Sequence, residues 1–155
     1  MLQLDDVTYV VDENLLRVGA ALVAVRKDTA RFGRTPVGDM LPPGILDTDW
    51  IPIVGERGWV VITNDKHLRT RPVEAELAIA HKLKAIHLHG KVGKQSAWAQ
   101  LTRIVTRWPA IEHHREKAPE GPWWLWVRRR PPWRRRARKR MSEMRRPSTR
   151  LMPGC

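Results

Sequence analysis

Short apolar runs alternate along this chain with longer segments of helical periodicity, and this alternation limits the fold more than any other feature of the sequence. Runs typical of buried strands occupy residues 7–11 (VTYVV), 59–63 (WVVIT) and 85–90 (AIHLHG). Strands that alternate with helices predict crossover connections and a mainly parallel sheet covered by helices on both faces. The predicted fold class is therefore α/β, a three-layer α/β/α sandwich.

Helix signals fill the segments between these strands. Apolar spacing, capping residues and prolines predict helices from Asn14 to about Lys27, from Asp47 or Thr48 to near Gly58, from Pro72 to about Leu83, and over residues 96–114. The last helix is expected to bury an apolar stripe made of Trp98, Leu101, Ile104, Val105 and Trp108. Residues 122–127 (PWWLWV) are expected to add an edge strand.

Positive charge is concentrated at the C-terminal end of the sequence. The net charge is +13, of which +2 comes from residues 1–120 (17 Lys and Arg against 15 Asp and Glu) and +11 from residues 121–155 (12 against 1). This distribution predicts a folded domain over residues 1–128 and a basic, flexible tail over residues 129–155. The arginines of the tail and Trp133 suit RNA phosphates and bases. A solvated extension without a ligand is the alternative.

Chain size and cysteine content narrow the class of protein. A sequence of 155 residues with 42% hydrophobic content is expected to bury one core. No run approaches the roughly 18 apolar residues of a membrane span, and the first ten residues lack the pattern of a secretory signal. The single cysteine, Cys155, permits no internal disulfide and suits a reducing compartment. We therefore expect a cytoplasmic protein that does not bind membranes.

Acidic residues follow the first two predicted strands. Asp12 comes directly after residues 7–11, and Asp65 follows residues 59–63. Asp47 and Asp49 begin the helix that leads into the second strand, so either can supply a third carboxylate. The carboxyl ends of parallel strands meet at one edge of a sheet, where ligands bind. Three carboxylates at that edge repel one another unless a cation lies between them, although acids near strand ends also occur as helix caps.

Oxygen ligands from aspartate favour magnesium or manganese, and the sequence has no cysteine pair that would indicate zinc. A metal ion held by carboxylates binds a phosphate, orients a water and lowers the pKa of that water. These are the requirements of phosphodiester hydrolysis. The acidic pattern therefore supports the hypothesis of a metal-dependent nuclease.

The residues around these acids resemble a known family. The segments VVDENL (residues 10–15) and DTDWIPIVGERGWVVITNDKHLRTRP (residues 47–72) are similar to PIN-like nucleases. In particular, they resemble the PIN-like branch of VapC-type toxins of bacterial toxin–antitoxin systems. The resemblance covers about residues 7–127 and is most specific over residues 50–72. It implies an α/β/α sandwich that cuts RNA with magnesium or manganese and is often inhibited by a cognate antitoxin.

The resemblance also implies roles for individual residues. Asp12 resembles the first metal-binding acid of the family, and Asp65 the acid of its T-x-D segment, in which Thr63 braces the turn. For the intermediate acid, the pattern D-x-x-W favours Asp47, with Asp49 as the neighbour that can be mistaken for it. These three acids, Asp12, Asp47 and Asp65, are the predicted catalytic and metal-binding set.

Five further residues accompany this set. Glu13 matches the D-E-N of the family and either binds metal or caps the first helix, and Asn14 has a similar dual interpretation. Lys66, Arg69 and Arg71 follow the third acid closely, so they are expected to bind the RNA phosphates around the scissile bond, with a solvated loop as the alternative.

The sequence departs from fuller PIN domains after the third predicted strand, where HLHGKVG (residues 87–93) stands in place of a fourth acid. This departure favours one metal ion held by protein and a second recruited by substrate. His87 and His89 point to the same side of a strand and form either a metal pair or, as we favour, one buried and one rim histidine.

Two other functions and two kinds of partner remain open from the sequence. A signalling receiver-like domain would need a phosphorylated Asp at a strand end, and PPGIL before Asp47 is a poor strand. A non-catalytic RNA-binding module of PIN-like fold would act through its Arg- and Trp-rich tail. The tryptophans Trp123, Trp124 and Trp126 could serve a homodimer or an antitoxin surface, or close the edge of the sheet.

Overall fold

A five-stranded parallel sheet forms the centre of the molecule. The computed structural model describes residues 1–128, and the predicted basic tail, residues 129–155, lies outside them. The strands are β1 (Tyr9–Val11), β2 (Thr29–Arg31), β3 (Val60–Thr63), β4 (Lys84–Leu88) and β5 (Trp123–Val127). Their order is β2-β1-β3-β4-β5, and every neighbouring pair is parallel. The predicted α/β class and the edge position of residues 122–127 are confirmed.

Helices cover both faces of this sheet. They are α1 (Leu16–Val25), α2 (Asp47–Glu56), α3 (His67–Thr70), α4 (Pro72–Ala80) and α5 (Ala97–Lys117), and a 3-10 turn (Glu13–Leu15) leads into α1. Helices α1 and α5 share one hydrophobic core with the sheet, whereas α2, α3 and α4 share the other. The three-layer sandwich is thus confirmed. Within residues 1–128, none of the helices is long and apolar enough to cross a membrane.

Strand β1 shows why the sequence signal for the central strands is an unbroken apolar run. Tyr9 and Val11 pack into the core under α1 and α5, whereas Val10 packs into the core under α2 and α4. A strand buried on both faces needs apolar residues at every position rather than at alternate ones.

Strand β2 was not predicted from the sequence. Its three residues, TAR, follow Asp28 and end in Arg31, so they contain no apolar run. They form a strand because their backbone pairs with β1, with Thr29 opposite Tyr9 and Ala30 opposite Val10. Tertiary pairing overrides weak intrinsic preference in such a short edge strand.

The predicted stripe of α5 is partly wrong. Trp98 and Val105 are 78% and 52% exposed, whereas Gln100, Ile104 and Ile111 are buried. Residues that are four or seven positions apart lie on the same face of a helix, so Gln100, Ile104 and Ile111 form one buried face. Trp98 lies outside this face and remains exposed to solvent.

The receiver-like alternative is contradicted by the local structure around Asp47. Residues 32–46 contain no strand, and Asp47 is the first residue of α2. An aspartate at the start of a helix does not occupy the strand-end position that a receiver-type phosphoacceptor needs.

A cluster of polar side chains connects α5 to the edge of the sheet at which the strands begin. Glu112 Oε1 accepts hydrogen bonds from Tyr9 Oη and Trp108 Nε1, both at 2.9 Å. Its Oε2 accepts from Arg115 Nη2 at 3.1 Å, and Arg26 Nη2 lies 3.4 Å from Oε1. One carboxylate therefore serves four donors from β1, α5 and the segment after α1.

Glu112→Ala is expected to lower the free energy of unfolding by about 2–3 kcal/mol, because hydrogen bonds to charged groups are the stronger kind and several donors lose their acceptor together. Urea denaturation of the full chain measures this change. Glu116→Ala, at an exposed position of the same helix, is the matched control and should change stability by less than about 0.5 kcal/mol. Equal effects of the two substitutions would contradict the role given to Glu112.

Candidate functional site

The three acids predicted from the sequence converge on the carboxyl-terminal edge of the sheet. Strands β1 and β3 are neighbours, Asp12 directly follows β1, and Asp65 lies two residues beyond β3. Asp47 is the first residue of α2. The charges of Asp47 and Asp65 both act on the Asp12 carboxyl, so the fold brings together side chains that are far apart in sequence.

Asp12 is the most buried of the three, with 8% of its surface exposed. Thr63 Oγ1 donates a hydrogen bond to its Oδ2 at 2.7 Å. Burial raises the pKa of Asp12 above its usual value, the hydrogen bonds from Thr63 and from the Asn14 backbone act against this rise, and the charges of Asp47 and Asp65 add to it. An ionised Asp12 is therefore costly here unless a positive charge approaches.

The hydroxyl of Thr63 joins two of these acids. It donates to Asp12, accepts from the backbone N–H of Asp65 at 3.0 Å, and lies 3.4 Å from Asn14 Nδ2, which donates to it. Thr63 is the last residue of β3 and is fully buried. The sheet therefore fixes the position of Thr63, and the hydrogen bonds of Thr63 in turn position Asp12 and Asp65.

Asp65 is held by its turn and by a histidine of β4. Its Oδ1 accepts from the backbone N–H of His67 at 2.8 Å, and its carbonyl oxygen lies 2.9 Å from His87 Nε2. Because a carbonyl only accepts, His87 Nε2 carries the hydrogen. Burial lowers the pKa of His87, in keeping with a neutral ring whose Nδ1 has no hydrogen-bond partner within residues 1–128.

The two histidines of the HLHGKVG segment have different surroundings. His87 is 6% exposed, whereas His89 is exposed just beyond the end of β4. This matches the interpretation of one buried and one rim histidine. The contact between His87 and the Asp65 carbonyl was not predicted, although period-2 alternation along β4 does assign His87 to the α4 side of the sheet.

Asp47 and Asp49 occupy the first turn of α2 but have different environments. Asp47 is half-buried, and its Oδ1 accepts from Trp50 Nε1 at 2.9 Å, whereas Asp49 is exposed. The expectation that Asp47 or Thr48 is the helix cap is wrong. Leu46 is the N-cap residue, and its side chain has no group that could cap the helix. The Asp47 carboxylate instead accepts the hydrogen bond from the Trp50 indole, which gives the D-x-x-W pattern a physical meaning.

Glu13 lies apart from the other acids in its contacts. Both of its carboxylate oxygens are 3.1 Å from the backbone N–H of Gly44, which donates to them. Gly44 has a φ of +75°, a conformation that favours glycine. Glu13 therefore fastens the loop before α2 to the start of α1, whereas Asn14 turns its amide to Thr63.

The basic residues predicted to bind RNA differ in how they are engaged. Lys66 is exposed as the N-cap residue of α3. The guanidinium of Arg69 lies 5.0 Å from the centre of the Trp126 ring. Arg71 Nη1 lies 3.6 Å from the nearly buried Glu74, so its charge is partly compensated.

The three tryptophans of β5 differ in exposure. Trp123 is 9% exposed and packs into the α5 core, and its Nε1 donates to the Ala118 carbonyl at 2.8 Å. Trp124 and Trp126 are half-buried on the other face. Only the latter two can offer surface to a ligand or a partner.

The chemistry of the donor set fits magnesium or manganese. Hydrogen bonds to the side chains of Asp47 and Asp65 within residues 1–128 engage one oxygen, Oδ1, of each carboxylate. In that part of the chain, no three His, Cys, Asp or Glu side chains form a ready metal cage. Magnesium keeps several waters and needs only one or two direct carboxylates, so a closed cage is not required of Asp12 and its neighbours.

A family model described as "PIN like domain" matches residues 7–90, which is more than half of the chain and includes Asp12, Asp47 and Asp65. No curated protein and no solved structure shows a significant match to the sequence.

Proposed function

Because the chain belongs to the PIN-like domain family, whose members are generally nucleases, we propose that it is a magnesium- or manganese-dependent endoribonuclease that cleaves RNA phosphodiester bonds. The observation that carries this proposal is that the hydroxyl of Thr63 bonds both the buried Asp12 carboxylate and the backbone N–H of Asp65, which places the two acids together at the carboxyl-terminal edge of the sheet. The charges of Asp47 and Asp65 both act on that Asp12 carboxylate. A divalent cation would relieve the repulsion between these carboxylates and would also bind an RNA phosphate, as a nuclease requires.

Asp12, Asp47 and Asp65 are the residues that would hold the metal ion, one or two of them directly and the rest through its waters. The ion when bound would polarise a phosphate and lower the pKa of a water. The chain's own residues supply the geometry. Thr63 orients the Asp12 carboxylate, and His87 Nε2–H holds the Asp65 carbonyl.

Four further residues complete the proposed mechanism. Trp50 Nε1–H orients the Asp47 carboxylate. Lys66 and Arg69, close in sequence to Asp65, bind the phosphates on either side of the scissile bond, and Arg71 contributes less because Glu74 already compensates its charge.

The proposed biological role is that of a toxin with a cognate antitoxin. It rests on the resemblance of residues 10–15 and 47–72 to VapC-type toxins and on the half-buried tryptophans of edge strand β5, which suit an antitoxin or a second copy of the chain. A neighbouring gene whose product suppresses RNA cleavage would support this role, whereas unrelated neighbours would count against it.

The nuclease proposal predicts that the purified full chain cuts a mixed RNA pool with magnesium or manganese and not with chelator. Asp65→Asn should lower the rate at least about a hundredfold, since the metal-bound charge supplies several kcal/mol and each 1.36 kcal/mol is a factor of ten. Asp39→Asn, at an exposed loop position, removes the same charge and should cut like the native chain.

Failure of this test has a specific meaning. If the native chain binds RNA and cuts it with neither metal, the nuclease proposal is rejected in favour of a non-catalytic RNA-binding module. Loss of RNA affinity on removal of residues 129–155 would then assign the binding to the tail, whereas surviving affinity would assign it to residues 1–128.

A further inference from the structure

A groove lies between α4 and β5, next to the acidic edge of the sheet. We call it the Trp126 groove; its lining includes Arg69, Ala75, Ile79, Pro122, Trp124 and Trp126. It encloses about 510 Å³, within the range of small-ligand sites. Ile79 is 65% exposed, and the two tryptophans are half-buried, so this apolar surface is not consumed by the fold.

The indole of Trp126 is held by two histidine rings and one guanidinium. The His87 and His89 rings meet it edge to face, with centres 4.8 Å and 5.0 Å from its own. The Arg69 guanidinium lies 5.0 Å from the ring centre. These contacts hold the indole in place, and because Trp126 is half-buried, part of its surface stays open to solvent.

Two contacts connect this groove to the acids. His87 touches Trp126 on one side and bonds the Asp65 carbonyl through Nε2 at 2.9 Å on the other. Arg69 belongs to α3, which begins two residues after Asp65. A nucleotide next to a phosphate at the acidic edge is therefore within reach of Trp126.

We infer that the Trp126 groove is a subsite for one unpaired base of single-stranded RNA, with the base stacked on Trp126 and an adjacent phosphate on Arg69. Stacking on aromatic side chains beside a cation is the general way in which proteins hold unpaired bases. Among the described residues that line the groove, Arg69 is charged and none is acidic, which suits a polyanion. The inference rests on the proposed function in taking RNA as the ligand.

Binding of a 5′-fluorescein-labelled octauridylate to the full chain tests this subsite. The affinity is measured by fluorescence anisotropy. Chelator is present to prevent metal-dependent cleavage, and raised salt weakens contacts that involve phosphates alone. Trp126→Leu should weaken binding about 5- to 100-fold, the loss expected for one stacked base. Trp126→Phe, which keeps an aromatic plane, should stay within about threefold of the native chain.

Trp98→Leu is the matched control, because Trp98 is a 78% exposed tryptophan of α5 on the opposite side of the sheet. Its octauridylate affinity should stay within about twofold of the native value. Octauridylates with a single abasic position, scanned along the strand, add a second criterion. At one position base removal should weaken native binding, and Trp126→Leu should then cause no further loss.

Three results would overturn the subsite: an unchanged affinity for Trp126→Leu, an equal loss for Trp98→Leu, or a Trp126→Leu loss that persists with every abasic strand. If Trp126→Leu disrupts self-association in sedimentation and leaves the RNA affinity unchanged, the groove is instead a contact surface for a second copy of the chain. Because binding is measured without cleavage, Trp126-dependent binding by a chain that cuts nothing would reject the nuclease proposal and keep the subsite.

Discussion

Asp12→Asn is expected to lower the rate of metal-dependent RNA cleavage at least about a hundredfold and to make the metal-free chain more stable. The first effect follows because Asp12 is the innermost acid of the site and would bind the cation through its carboxylate. The second follows because an asparagine side-chain oxygen can still accept from Thr63, whereas the charge opposed by burial, Asp47 and Asp65 is gone.

The pH dependence of this stability difference has a definite sign. The pKa of Asp12 is raised in the folded chain above the ordinary value of 3.8. Well below pH 3.8 the carboxyl is protonated in both the folded and unfolded states and costs nothing. As the pH rises from 3.8 through the folded pKa, the unfolded chain loses this proton more readily than the native chain, so the native chain is destabilised and Asp12→Asn is unaffected. The advantage of the variant should therefore be present at pH 7 and absent well below pH 3.8.

Thermal denaturation in chelator measures this difference. At pH 7 we expect the midpoint of Asp12→Asn to lie about 2–4 °C above that of the native chain, the shift that 1 kcal/mol produces at this size. Added magnesium should raise the midpoint of the native chain and not that of the variant. A variant that cuts RNA at the native rate, or that melts lower in chelator, would contradict the position given to Asp12.

Much of the fold could be predicted because its central strands are buried on both faces. A short unbroken apolar run such as residues 59–63 is typical of a strand buried on both faces, and the helices beside it are predicted by capping residues and by the spacing of apolar residues. What could not be predicted depends on tertiary contact. The pairing of Thr29 with Tyr9 makes β2, and the sheet decides which face of α5 is buried, leaving Trp98 in solvent.

The site divides in the same way. Parallel topology alone is enough to bring Asp12 and Asp65 to one edge, since each follows a strand of that sheet. The approach of Asp47 depends on the path of residues 32–46, a loop without periodicity that Glu13 fastens through Gly44. The role of His87 depends on a single hydrogen bond to a backbone carbonyl, for which no sequence pattern exists.

The pair Asp47 and Asp49 offers the sharpest test of which acid on α2 serves the site. Asp47→Asn is expected to lower RNA cleavage about a hundredfold, while Asp49→Asn should stay within about threefold of the native rate. Both substitutions remove one negative charge from the first turn of the same helix, so their effects on the helix dipole are alike. They differ in that the Asp47 charge acts on Asp12, whereas Asp49 is exposed to solvent.

Fold integrity can be separated from activity in this comparison. The side-chain oxygen of the asparagine in Asp47→Asn can still accept from Trp50 Nε1, so both variants should melt within about 2 °C of the native chain in chelator, in the range of surface substitutions. Magnesium should stabilise Asp49→Asn like the native chain and Asp47→Asn much less. A larger loss of cleavage in Asp49→Asn than in Asp47→Asn would show that Asp49 supplies the third carboxylate of the site. The helix would then have to turn by about 200° to bring that residue to Asp12, because two residues along a helix point to nearly opposite sides.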